Sequence, residues 1–374
     1  MGKRIRIRFL YTRYPHWCSR SGFMQITRHL GGRFYPILDG AADEGSDLPK
    51  CLAGLERWLR KRVAGGSMPW YKVNDFLAEL RALPGSMGGR YDVIHFLDGE
   101  HSGRYLPRLL RRLSWLRPHM VASFHQPHDL ARTLIDPETV RRFDHVTVFS
   151  PSQVALFREW LPAERIHLIP HGIDTSFFHP PYTRHRGNNM RCVTVGHWLR
   201  DWSVMRGVAC AFLDDPRVQF DVVTSRETGL EGLGNVVHHR SIPDAELAEL
   251  YRKADVLLLP LTESTANNAL LEGMASGLPV ISTALAGTCF HVGRAPCVLA
   301  PVGDTKAYID AVSALQNDPD RRLEMGKEAR RRAEELCWVN VARRFAALYE
   351  GMARGESGGE ISQRMQKLLS DGEA

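Results

Sequence analysis

Apolar residues along this chain alternate between short unbroken runs and stripes of helical spacing. The clearest stretch is Ala254 to Gly287, ADVLLLPLTESTANNALLEGMASGLPVISTALAG. Val256 to Leu259 is a continuous apolar run ended by Pro260, which suits a strand dry on both faces. A polar loop, Thr262 to Asn267, follows it. Ala269, Leu270, Leu271, Met274 and Ala275 then recur at helical spacing, Gly277 and Pro279 stop the helix, and Val280 opens another strand. The same alternation runs through the rest of the chain. Strands are predicted at Lys3–Thr12, Tyr91–Leu97, His119–His125, Val146–Ser150, Ile166–Pro170, Arg191–Gly196, Gln219–Thr224, Val236–His239 and near Val298, with helices between them. In the first strand Ile5, Ile7, Phe9 and Tyr11 alternate with Arg4, Arg6 and Arg8. Residues 39–50 are polar and rich in turn formers, and read as an insertion or mobile loop. The pattern as a whole predicts an α/β protein.

Length allows two domains, since 374 residues can bury two substantial cores. The expected division is 1–180, 181–336, a last helix at 337–354 and a mobile Gly-, Ser- and Glu-rich tail at 355–374 with a short helix at Ile361–Leu369. Pro180-Pro181 and the polar residues after them mark the linker. No apolar run reaches the roughly 18 residues of a membrane span. The N-terminus lacks the apolar core of a signal peptide, and the seven cysteines are odd in number and scattered. A cytoplasmic protein with reduced thiols is expected.

Charge divides the chain unequally. Residues 1–180 hold 26 Lys and Arg against 17 Asp and Glu, a balance of +9, and the remainder balances at −2. Two segments concentrate the excess. Residues 52–63 set Leu55, Trp58, Leu59 and Val63 beside Arg57, Arg60, Lys61 and Arg62, and residues 104–117 read RYLPRLLRRLSWLR. Basic residues beside Leu and Trp suit an anionic membrane surface, so a peripheral location is one reading. The other is two surface helices covering a sheet. No nucleic-acid module is recognisable, and no nucleic-acid partner is expected.

Chemistry gathers at strand ends. Asn267 and Asn268 stand where the N-cap of the helix after Pro260 belongs, and a helix N-terminus offers free N–H groups and partial positive charge to a phosphate. Glu272, one turn in, can accept hydrogen bonds from sugar hydroxyls. The bland alternative is a well-capped structural helix. His125 ends a strand, where open α/β sheets hold ligands; His128 reads as a bystander. Gly22, at the first strand-to-helix turn, would let a ligand approach the backbone. Asp318-Pro319-Asp320 reads as a turn and N-cap, not a metal site, and Asp244 reads as an N-cap.

Two stretches carry a family resemblance. LLEGMASGLPVIS, residues 270–282, resembles the donor-site signature of the retaining glycosyltransferases of family 4, and HGIDTSFFHP, residues 171–180, resembles their Pro-Asn-Gly-Val-Asp motif, with His171 in place of Asn and Gly172 at the turn. The resemblance implies a GT-B fold, two Rossmann-like domains facing across a cleft, and transfer of a sugar from a nucleotide-diphosphate sugar to a glycan, lipid-linked or small-molecule acceptor. It implies retention by front-face attack. No metal and no cofactor are expected, because the sequence has no credible Asp-x-Asp and a helix terminus with Arg200 can supply the positive charge. On this pattern His125 lies near the reacting centre. The first of two glutamates spaced eight apart falls on Ser264, with Glu263 one position away, and both remain candidates. Thr265, Asn267, Asn268, Ala269, Leu271 and Glu272 would hold the donor. His197 takes the family's Arg position and Trp202 its Lys position, leaving His197 and Arg200 as the nearby cations. The loop with Arg13, His16 and Gly22 would line the acceptor side, and His171 and Gly172 would lie near the interdomain cleft. With the usual Lys absent, a catalytically silent protein that binds nucleotide or polyanion is the alternative.

Overall fold

The arginines of the first strand explain themselves once their neighbours are known. In a computed structural model of the protein, which describes residues 4–14, 20–63, 66–112, 117–183, 187 and 189–370, Ile5–Arg13 is strand β1. Its Ile5, Ile7 and Phe9 are buried. Arg6 turns to Asp92, with Nε 3.1 Å from Oδ2, and Arg8 pairs with Asp39 while lying 5.6 Å from the centre of the Tyr91 ring. Cationic side chains on one face of β1 thus meet carboxylates from the neighbouring chain segments.

Asp39 belongs to a strand, so the loop expected at 39–50 begins only after Ala42. β2 (Phe34–Ala42) runs parallel to β1, with Ile5 opposite Phe34 and Arg13 opposite Ala42. Pro36, Asp39 and Gly40 hide it in the sequence. As an edge strand it tolerates a proline that a central strand would not. The sheet continues with β3 (Val93–Phe96), β4 (His119–Phe124), β5 (His145–Val148) and β6 (Ile166–Leu168), all parallel, in the order β2-β1-β3-β4-β5-β6. Helices α1 (Ile26–His29), α2 (Ala53–Val63), α3 (Val73–Met87), α4 (Leu106–Arg112), α5 (His128–Leu134), α6 (Pro137–Val140) and α7 (Pro151–Arg158) connect the strands. Phe96, Phe124, Phe143 and Phe157 anchor their core. The pattern-based reading assigned no element to 73–87, yet α3 supplies Glu79. Its carboxylate accepts the N–H groups of Gly103, Arg104, Tyr105 and Leu106, and so caps α4.

A second parallel sheet has the order β12-β11-β10-β7-β8-β9. It comprises β7 (Met190–Val195), β8 (Val218–Val223), β9 (Val236–His239), β10 (Val256–Leu259), β11 (Val280–Thr283) and β12 (Val298–Ala300). All four residues of β10 are buried, as a strand covered on both faces requires. Helices α8 (Trp202–Ala211), α9 (Asp244–Lys253), α10 (Asn268–Ala275), α11 (Ala286–Val292), α12 (Thr305–Asn317) and α13 (Pro319–Glu335) flank it. Asp318 caps α13 through the N–H of Arg321, at 2.9 Å. Asp244 is not the cap of α9. Pro243 holds that position, and Asp244 lies in the first turn, where a carboxylate still favours the positive helix end.

The chain forms two compact units, one drawn from 1–17, 23–170 and 339–374, the other from 18–22 and 171–338. The chain therefore passes from the first sheet's unit to the second after Pro170, not at residue 180. The HGIDTSFFHP segment joins the second unit because Ile173 exchanges backbone hydrogen bonds with Leu336 and Trp338, and Phe178 enters that unit's core. α14 (Trp338–Arg354) returns to the first unit from Val339 onward. Where a mobile tail with a short helix was expected, α15 (Gly358–Ser370) packs on that unit, with Ile361 fully buried and Gly358 tight against the carbonyl of Glu164.

Glu79→Ala should leave four N–H groups without their acceptor and lower stability by about 3 kcal/mol or more. Glu79→Gln keeps one acceptor oxygen and should lose less. Urea unfolding midpoints measure both; parent-like midpoints for the two variants would count against the capping role.

Candidate active site

In the second sheet the chain leaves β7 toward β8 on one side, while β10 lies on its other side. The carboxyl ends of β7 and β10 therefore flank a switch point, where open α/β sheets take ligands. Two loops meet there. The loop after β7, Gly196 to Asp201, contains Leu199 at a φ of 57°, a left-handed conformation that a branched side chain rarely adopts. That turn folds Arg200 back. Its Nε donates to the Val195 carbonyl at 3.0 Å, Nη2 donates to the same oxygen, and Nη1 donates to the Trp198 carbonyl at 3.0 Å. Nη2 also reaches Oδ1 of Asn267 at 3.4 Å. Asp201 N donates to Pro260 O and Thr262 N to Leu199 O, each at 3.0 Å, so the two loops are stitched together. Arg200 is a half-buried clamp: its charge stays beside the loop, but most of its N–H groups are taken by carbonyls. Burial pulls its guanidinium down to about 10, still protonated at neutral pH.

The loop after β10 leads into α10. Asn267 is its N-cap, with Oδ1 accepting from Leu270 N at 3.2 Å, and Asn268 is its first residue. Ala269 and Leu271 are buried. The Leu271 N–H also bonds to the Asn267 carbonyl, at 3.2 Å, so neither its side chain nor its amide is left for a donor. Thr265 and Ser264 are buried, and Ser264 Oγ has no partner, whereas Glu263 is exposed. Gly287 allows this loop to lie flat against α11: a Cβ there would sit 2.1 Å from the Thr265 carbonyl oxygen. Glu272 is 3% exposed. Tyr251 donates to its Oε2 at 2.8 Å and Ser21 to its Oε1. Burial pushes its carboxyl up, against these two hydroxyls and Arg200. His197 is half-buried in the loop after β7, and Trp202 begins α8.

The first sheet has its own switch point, between β1 and β3. His125 follows β4. Its Nε2 lies 2.7 Å from the Leu97 carbonyl, so Nε2 carries the proton and Nδ1 is the acceptor. The ring stacks on Phe149 at 4.7 Å with a 17° tilt. Burial lowers its pKa to about 4, so it is neutral near pH 7. Glu100 accepts the backbone N–H groups of His125 and Gln126, and so sets the backbone that carries the imidazole. His128 pairs with Asp129 at an exposed position. Arg13 is ion-paired with Asp47. Gly22 has a φ of 88° and groups with the second unit; His16 lies outside the described residues.

His171 and Gly172 are packing residues of the second unit. His171 N donates to Nε2 of the buried His291 at 3.2 Å, and a Cβ on Gly172 would meet the Trp338 ring at 2.4 Å. Tyr251, Ser21, Gly287, Asp98 and Glu100 escaped the sequence reading. Asp98 and Glu100 had a usable signal, carboxylates just past a strand end; Tyr251 in α9 and Ser21 had none.

Two parallel, doubly wound sheets with loops converging at their switch points define a GT-B type α/β protein. Solved structures share the fold. Sucrose-phosphate synthase from Thermosynechococcus elongatus matches 94% of this chain and all of its own at a TM-score of 0.66 and 19% identity. Anabaena HepE in complex with UDP and glucose matches 93% of this chain and all of its own at 0.64 and 14%. Residues 40–177 match the family described as Glycosyltransferase Family 4, and residues 209–318 match Glycosyl transferases group 1. The D-inositol 3-phosphate glycosyltransferase of Corynebacterium jeikeium is 31% identical over 90% of this chain and 88% of its own. The chain belongs to the family 4 glycosyltransferases.

Proposed function

We propose that the protein transfers a hexosyl group from a nucleotide-diphosphate sugar to an acceptor hydroxyl, with retention at the anomeric carbon. The observation that carries this reading is the start of α10. There a capped helix end, the Arg200 charge and the Glu272 carboxylate stand at one switch point. HepE, with UDP and glucose bound, shares the fold. In this reading the first-turn amides of α10 and the Arg200 field stabilise charge growing on the departing diphosphate. Glu272 accepts from the ribose hydroxyls on lone pairs that Tyr251 and Ser21 leave open. The acceptor oxygen bonds to the anomeric carbon on the face from which the diphosphate leaves, and its proton passes to the departing phosphate oxygen. His125, neutral and fixed by Leu97 and Phe149, orients the transferred sugar. Ser264, buried with an unpartnered hydroxyl, stands for the first glutamate better than the exposed Glu263. The positive charge comes from the protein, so no metal and no other cofactor is required.

An anionic membrane surface is the partner assigned to α2. Leu52, Leu55 and Trp58 are 40%, 45% and 51% exposed, beside the exposed Arg57 and Lys61, and the Arg62 guanidinium lies 4.0 Å from the centre of the Trp58 ring. The expected contribution of 104–117 shrinks. Arg111 and Arg117 bind Asp144 and Arg104 binds the Val63 carbonyl, while Arg108 and Arg112 remain exposed; residues 113–116 lie outside the described residues. Among the described residues no helix is long and apolar enough to cross a membrane.

Glu272→Ala should weaken calorimetric binding of the nucleoside diphosphate by about 1–3 kcal/mol. His125→Ala should leave that binding in place and lower turnover. Parent-like affinity and turnover in Glu272→Ala would remove the donor site from α10. Nucleotide binding with no turnover of any nucleotide sugar would favour the silent binding protein. Excess EDTA should leave the rate unchanged; loss of activity restored by magnesium or manganese would refute metal independence. Vesicle co-sedimentation should rise with anionic lipid fraction, fall with salt, and drop in an Arg57→Ser/Trp58→Ser/Lys61→Ser variant. Equal binding to neutral vesicles would overturn the membrane assignment.

A further inference from the structure

The switch point of the first sheet is lined differently from that of the second. Asp98, just past β3, is 7% exposed, and its Oδ2 accepts the Thr12 N–H from β1 at 2.8 Å. Its own carbonyl holds the turn, accepting from His101 N, Ser102 N and Ser102 Oγ. That turn sets the His101 ring 5.1 Å from Trp70 and 5.8 Å edge-on to Tyr14. His101 is 7% exposed, and its Nδ1 is buried with no hydrogen-bond partner.

Carboxyl groups outnumber cations around this crevice, with Asp98, Glu100 and Asp43 set against Lys72. Burial pushes the Tyr14 phenol well up, with Asp98, Glu100 and Asp43 adding to it. Lys72 is engaged with the Asp43 side chain and carbonyl. Burial lowers the His101 pKa to about 4, so it is neutral near pH 7, and raises Asp98 to about 7. A phosphate monoester would meet Asp43, the part-ionised Asp98 and Glu100, both raised by burial to about 7, and a lysine already paired. Carboxyl, imidazole and phenol groups instead suit hydroxyls as donors and acceptors, and the Trp70 and Tyr14 rings offer apolar faces to the C–H side of a sugar ring.

We propose that this crevice, built on Asp98 and His101 with Trp70 and Tyr14, takes an uncharged polyhydroxyl acceptor, a glycoside or polyol with free hydroxyls, and discriminates against a phosphorylated one. The inference rests on the glycosyl-transfer reading for the word acceptor. It sets this chain apart from the phosphorylated inositol in the name of its Corynebacterium jeikeium relative. Selectivity here comes from like charge placed against the wrong ligand.

The test uses the full chain and ligand-observed NMR with two matched pairs, methyl α-glucoside against glucose 6-phosphate and myo-inositol against inositol 3-phosphate. At least one uncharged member should bind, at least about tenfold tighter than its phosphorylated counterpart. Asp98→Asn keeps an oxygen for Thr12 and should weaken binding of the uncharged ligand while narrowing the discrimination. His101→Gln should weaken the uncharged ligand as well, and neither variant should change nucleoside diphosphate affinity. Equal or tighter binding of the phosphorylated members, no binding by any of the four, or unchanged affinities in both variants would overturn the proposal. Failure of nucleotide binding with the sugar discrimination intact would instead strike the glycosyl-transfer reading alone.

Discussion

The second unit's site depends on a guanidinium that never leaves its own loop. Arg200 bonds to the carbonyls of Val195 and Trp198 and touches the Asn267 cap, and the left-handed Leu199 makes that return possible. A cation of this kind does two things at once. It satisfies carbonyls that a sharp turn leaves unpaired. It also places fixed positive charge beside a helix start that is already positive. The price is desolvation, which lowers the guanidinium without neutralising it. Because the loops after β7 and β10 are joined through this residue and the Asp201 and Thr262 backbone bonds, the start of α10 is held before any ligand arrives. Preorganised charge of this type needs no rearrangement as a leaving group departs.

The first unit solves the corresponding problem with carboxylates. Glu79 gathers four N–H groups at α4, Glu100 gathers two at the end of β4, and Asp98 takes one from β1. A parallel sheet needs such acceptors wherever a loop presents several amides in the same direction. These groups are buried, so removing any one exposes donors with no water to replace it. Glu100 satisfies the backbone at residues 125 and 126, while the Leu97 carbonyl and the Phe149 ring hold the His125 imidazole.

How much of this was legible along the chain follows from the range of each interaction. β10 and α10 were readable because an apolar run, a proline, a capping asparagine and a terminal Gly277 are all local signals. The cap at Asn267 is where the pattern put it. β2 was not readable, since what makes it a strand is pairing with β1 while its own residues include Pro36 and Gly40. Arg200 could be recognised as a cation near the site, but its inward turn depends on the backbone of Leu199, which nothing in the residue type announces. Leu271 looked like part of the site from its place in the motif, yet helix geometry occupies its amide and the core occupies its side chain. Glu272 and His125 were legible as chemistry; Tyr251, Ser21 and Glu100, which orient them, are distant in sequence and were not.

Opposite electrostatic lining of two similar sheets has a chemical consequence. The β7–β10 switch point collects donors and positive charge, from the start of α10 and Arg200. The β1–β3 switch point collects acceptors, from Asp98 and Glu100, beside neutral histidines. A neutral hydroxyl loses little on entering such surroundings, because carboxylates accept its hydrogen bonds. A second phosphate would have to be desolvated against them. Topology alone would have given the two sheets equivalent crevices. The residues that close each loop give the two crevices different charge and hydrogen-bonding character.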